Sequence, residues 1–88
     1  MANLILERTT DGDGTIVDID GAHTVALYGT WDSATVTINI SLDGGTTWIA
    51  YAAASTANAH VAVTIYGAKL KLTVASAGAG TTLKGYLG

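Results

Sequence analysis

The sequence contains no cysteine, no phenylalanine, only four basic residues among 88, and no long apolar run. Without cysteine there is no disulfide framework, and a chain without thiols is indifferent to redox compartment. The scarcity of Lys and Arg, with a net charge of −3, removes the electrostatic footprint that nucleic-acid binding needs. The longest apolar run, Ile49 to Ala54, falls far short of the roughly 18–20 residues that span a bilayer. The opening MANLILERTT has no basic segment followed by a long apolar one, so it does not read as a secretory signal. Synthesis in the cytoplasm is expected, with neither nucleic acid nor membrane as a partner.

Hydrophobic residues make up 49% of the chain, but fifteen of them are alanine, and 11 glycines add no side-chain volume. Burial in so small a domain barely offsets the entropy of ordering it; the usual remedies are disulfides, a metal or oligomerisation. Oligomerisation is the remedy this composition leaves. Charge is unevenly placed. All seven acidic residues fall within the first 43 positions, where Arg8 is the only base, and the remainder carries Lys69, Lys71 and Lys84 with no acid. Two solvated loop sets, or an oriented electrostatic surface, would each produce that division.

Period-two alternation dominates the rest. In Thr35–Ser41, Val36, Ile38 and Ile40 alternate with a wet face of Thr, Asn and Ser. His60–Tyr66 repeats the pattern with Val61, Val63 and Ile65 inward, and Lys69–Ala75 with Leu70, Leu72 and Val74 inward. Leu83–Leu87, Leu4 with Leu6, Ile16, and Val25–Tyr28 mark further strands. Between them stand Asp11–Gly14, Asp20-Gly21, Asp43–Gly45, Gly67-Ala68 and Ala77–Gly80, clusters that tolerate positive φ and read as turns. Ala52–Ala59 reads as a longer loop. Turns every eight to twelve residues predict an all-β fold, an antiparallel β-sandwich of seven or eight short strands. The chain reads as one domain, 1–88, whose first 20 or so residues form either a pairing strand or an extending arm.

The most specific local signal is Ser41-Leu42-Asp43-Gly44-Gly45-Thr46-Thr47-Trp48, which fits the Asp-box pattern S-x-D-x-G-x-T-W at every defined position. The Asp side chain accepts N–H bonds within the turn, the glycine allows positive φ, and the tryptophan packs beneath. Asp-boxes resemble those of sialidase propellers, yet 88 residues do not make a propeller and one arginine does not make a substrate cluster. Ser41, Asp43, Gly45, Thr47 and Trp48 are therefore expected to staple a hairpin.

Other constellations dissolve on inspection. Asp11-Gly12-Asp13-Gly14 resembles the middle of an EF-hand loop, but Thr9 stands at the first ligand position and the flanks read as strands, which favours a hairpin turn over a calcium site. His23 and His60 lack metal-ligand spacing, no serine occupies a nucleophile elbow, and Asp18 with Asp20 reads as a solvated edge. No catalytic, cofactor or metal residue is predicted. Trp31, Tyr28, Tyr51, Tyr66 and Tyr86 are either fillers of a core without Phe or contact residues. Trp31 and Tyr51, with Lys69 and Lys71, are the candidate interface.

The run from Thr30 to Gly88, with its S-x-D-G-G-T-T-W hairpin, Ala-rich loop, V-x-V-x-I strand, K-L-K-L-T-V strand and terminal G-Y-L, resembles small structural proteins of tailed bacteriophages. These are virion components of the capsid decoration (cement) kind, compact jelly-roll or Ig-like sandwiches. The resemblance implies a non-enzymatic protein on the capsid surface, bridging neighbouring copies of the major capsid protein as a homo-trimer or dimer. The alternative is a carbohydrate-binding or receptor-recognition domain of a phage tail, fibre or adhesin, which would use the same Thr-rich faces and exposed aromatics.

Overall fold

The computed structural model describes residues 3–88, leaving Met1 and Ala2 outside it. Seven strands follow one another: β1 (Asn3–Arg8), β2 (Gly12–Asp13), β3 (Val17–Thr30), β4 (Thr35–Ser41), β5 (Ile49–Ala50), β6 (Ala59–Ala75) and β7 (Thr82–Leu87). All pairings are antiparallel and join in one sheet of order β1-β7-β3-β6-β4-β5, with β2 against β6. The fold is thus all-β with seven antiparallel strands, in one open sheet; this pairing does not show the expected separate layers of a jelly-roll or Ig-like sandwich.

Two expected turns are absent as turns. Asp20-Gly21 lies inside β3 and Gly67-Ala68 inside β6, and the two strands run past each other as one long ribbon. The register slips between Ile19 and Gly21, so that Tyr66 and Gly67 both stand opposite Asp20. Gly67 has φ +66°, and its N–H donates to Asp20 Oδ1 at 3.1 Å. The glycines provide the positive φ that was read as chain reversal, but here it makes a β-bulge, which bends a sheet without ending its strands. Asp11–Gly14 is likewise no hairpin turn. β2 pairs with β6, and the strands before and after it pair with β7 and β6 rather than with each other.

The bend brings distant parts of the sheet face to face. Leu72 of β6 lies against Gly85 of β7, which is not its neighbour in the strand order; a Cβ on Gly85 would stand 2.5 Å from Leu72 Cδ1 and 3.1 Å from Leu6 Cβ. Glycine is needed there for close approach. Around this contact Leu6, Ile19, Val25, Leu27, Val36, Val63, Leu70, Leu72, Val74 and Leu83 form a core with almost no exposure. The alternation in β4, β6 and β7 explains their selection, since every second side chain meets the same face. Residues 51–58 form a loop where Ala52–Ala59 was expected, Ala59 already pairing with Leu27 as the first residue of β6, and the loop is tied to β4 where Ser55 N and O exchange hydrogen bonds with Val36.

Candidate functional site

The Asp-box hairpin joins β4 to β5 at one end of the sheet. Ser41 is buried, and its hydroxyl donates to Asp43 Oδ1 at 2.7 Å while accepting the Gly45 N–H at 2.9 Å. The same carboxylate oxygen accepts the N–H groups of Thr46 and Thr47 at 3.2 and 2.9 Å. These donors, the Thr47 amide foremost, hold the Asp43 carboxyl at a pKa of about 2, because each favours the charged form. Trp48 folds back, its Nε1–H donating to the Gly45 carbonyl at 3.1 Å. The box is a network of local hydrogen bonds that fixes the turn.

Beside it on β6 are Lys69 and Lys71, in register with Ser41 and Asn39. Lys69 Nζ pairs with Asp18 at 2.7 Å, and Lys71 Nζ with Asp13 at 3.0 Å. Lys71 also lies 4.6 Å above the Trp48 ring, a cation–π contact. Hydrogen bonds from Lys71 and then Thr73 hold the Asp13 carboxyl below its ordinary pKa. Lys84 completes the set against Glu7 at 3.5 Å. Each lysine of the second half thus meets an acid of the first, so the division of charge along the sequence is not a division in space.

The four remaining acids bind backbone amides. Asp43 holds the box, Asp20 the bulge at Gly67, Asp11 the N–H of Ala77 at 2.7 Å, and Asp32 the N–H of Gly80 at 2.7 Å. Arg8 donates to the carbonyls of Thr10, Asp11 and Asp13, closing the β1–β2 connection. The Asp11–Gly14 carboxylates are therefore engaged in cross-strand support. Among the described residues no three of His, Cys, Asp and Glu gather closely enough to hold a metal ion. His23 Nδ1 lies 3.2 Å from the Gly88 oxygen.

The aromatic candidates divide into two groups. Trp31 and Tyr51 are half-buried against the core, and Trp31 Nε1–H donates to Asn58 Oδ1 at 2.9 Å. It is the Trp48 ring that carries the cation–π contact with Lys71. Tyr28 and Tyr86 stack in parallel on adjacent strands, ring centres 5.6 Å apart, next to Leu4 on β1. Hydrogen bonding to Tyr86 pushes the Tyr28 phenol above its ordinary pKa. Tyr66 is 72% exposed.

Sequence reasoning missed Leu42 and Ile49, exposed by 65% and 54%, which line a shallow apolar groove with Ile40 and Thr47 on the outer side of the hairpin. The signal was present: Leu42 fills the free position of the S-x-D motif, the position the hydrogen-bond network leaves pointing outward. Comparison with known protein families, curated proteins and solved structures finds no match to this chain.

Proposed function

We propose that this protein is a non-enzymatic structural component of a bacteriophage virion that decorates the capsid and stabilises it by bridging neighbouring copies of the major capsid protein. The observation that carries the reading is the allocation of side chains. Every acid serves a lysine or a backbone amide, whereas Leu42, Ile49, Tyr28 and Tyr66 stand outward. Charge goes to holding the fold and apolar surface is left for contact. In the same reading the bent sheet works as the two layers of a small sandwich of jelly-roll or Ig-like kind, with Leu72 and Gly85 at their meeting. Many copies seated across subunit boundaries add interfaces that must break before the shell ruptures.

Quantitative mass spectrometry of gradient-purified native particles tests this, comparing the chain with the major shell protein. A ratio near one-to-one supports decoration, and absence from the particle refutes it. A handful of copies per particle would favour the second reading, a carbohydrate-binding domain of a tail, fibre or adhesin. The stacked pair of exposed Tyr28 and half-buried Tyr86 beside exposed Leu4 favours that reading, since flat, partly exposed rings suit the apolar face of a sugar.

A further inference from the structure

The edges of the sheet are not alike. β1 carries Glu7 and Arg8, and Ile5 O already accepts the Thr15 N–H. β5 is two residues long, and the outer side of β3 before Thr24 carries Asp18 and Asp20. Short strands and charges are the devices by which proteins keep sheet edges from pairing. The first half of β6, Ala59–Ala68, contains no Lys, Arg, Asp, Glu or Pro, and its one such device is the bulge at Tyr66–Gly67, at the end of the segment nearest β4. β4 covers the same side of β6 only from Lys69 to Ala75.

The direction of its backbone groups follows from the pairing. Thr24 exchanges both backbone hydrogen bonds with Gly88, at 3.2 and 2.8 Å, so its N–H and C=O point away from β6. Thr24 is paired with Ala62, which makes this a non-hydrogen-bonded pair, and the N–H and C=O of Ala62 point away from β3 into the open. By the same alternation His60, Thr64 and Tyr66 present theirs, and all four side chains are exposed on one face. No hydrogen bond from another strand reaches this edge among the described residues.

We propose that this edge pairs with the same edge of a second copy, antiparallel about a twofold axis at Val63. That register exchanges every outward N–H and C=O: Ala62 with Thr64 of the second copy, and His60 with its Tyr66. It sets Val63 beside Val63 and Val61 beside Ile65 on the core side, where Val61 and Ile65 are only half-buried in the single chain. Cross-strand β-branched pairs of this kind stabilise a sheet. With no charged residue from Ala59 to Ala68, the twofold brings no like charges together. Other twofold positions leave some of these groups unpaired. The dimer belongs to the isolated chain, independent of any particle, so its failure and that of capsid decoration are separate results.

The test is the mass of the purified full chain by light scattering across concentration, with backbone hydrogen exchange on the same samples. The expected result is a dimer in which the amides of His60, Ala62, Thr64 and Tyr66 gain protection as concentration rises, while those of Val61 and Val63 do not change. Thr64→Pro removes one outward N–H, at the kind of edge position that tolerates proline, and should halve the mass. Thr64→Lys, which keeps the backbone intact, should raise the dissociation constant about tenfold or more even if the proline variant does not fold. A monomer at all concentrations, a trimer, or a dimer that Thr64→Lys leaves unchanged would overturn the proposal.

Discussion

The two halves of β6 have the same alternating sequence style and opposite situations. From Lys69 to Ala75 the strand is flanked on both sides, by β4 and by β3 with β2, and its outward Lys69, Lys71 and Thr73 are bonded to Asp18 and Asp13. From Ala59 to Ala68 it is flanked on one side only, and its outward side chains include no Lys, Arg, Asp or Glu. Periodicity determines which face of a strand is wet, because side chains alternate strictly. It says nothing about which edge is covered, since that depends on a strand elsewhere in the chain.

The largest effect separates the inner face from the outer one. Leu72 is fully buried and lies where the bent sheet meets itself at Gly85. Leu72→Ala should cost about 2–5 kcal/mol, a lost transfer term plus a cavity. Against the roughly 5–15 kcal/mol of a typical domain that is a large fraction. Tyr66→Ala, at a side chain 72% exposed on the same strand, should change the stability of the single chain by no more than about 0.5 kcal/mol. Urea unfolding below the dimer's concentration range measures both; equal losses would mean that the bend does not concentrate the core at Leu72.

What the sequence made legible follows the same line. β4 has the boundaries expected of Thr35–Ser41, and the Asp-box residues Ser41, Asp43, Gly45 and Trp48 make the turn network their motif implies, because each of those signals is local. Asp20-Gly21 and Gly67-Ala68 were not legible as a bulge. Glycine at positive φ serves a reversal and a bulge equally, and only the strand opposite decides. The two corners were each half of one device, 47 residues apart in the Asp20–Gly67 hydrogen bond. Lys69 and Lys71 were legible as outward-facing but not as paired, since Asp18 and Asp13 come from strands whose register no local pattern sets. Among the contact candidates, Trp31 and Tyr51 proved half-buried, while Leu42 and Ile49 carry more exposed apolar surface.

A smaller effect tests the charged half of β6. Lys71→Met keeps the stem that lies over Trp48 and removes the ammonium from Asp13. The pair is partly solvated, with side-chain exposures of 16% and 47%, so the loss should be about 1 kcal/mol or less. The Asp13 carboxyl should then titrate closer to its ordinary value, since Lys71 is the main cause of its depression. Carbon-detected NMR of the carboxyl reads this directly. An unmoved titration would assign the depression to Thr73 instead.

The smallest effect on global stability, and the sharpest local one, is the response of the Asp-box to acid. Asp43 has its folded-state pKa lowered from 3.8 to about 2 by the Thr47 amide, the Ser41 hydroxyl and further donors of the turn. A depressed carboxyl binds its proton less readily folded than unfolded, so its stabilisation is fully present above 3.8 and declines as pH falls through about 2. The hairpin should therefore open in that window, while β6 and β7, whose contacts with the rest of the sheet do not run through Asp43, stay paired. Trp48 reports the opening, because its ring is held by the Gly45 carbonyl inside the same turn. Asp43→Asn should leave Trp48 fluorescence without that acid transition and the hairpin looser at neutral pH, since an amide oxygen accepts the Thr46 and Thr47 N–H groups without the charge that strengthens them. A Trp48 transition that persists unchanged in the variant would show that the turn is held by the packing of Trp48 under Lys71 rather than by the carboxylate.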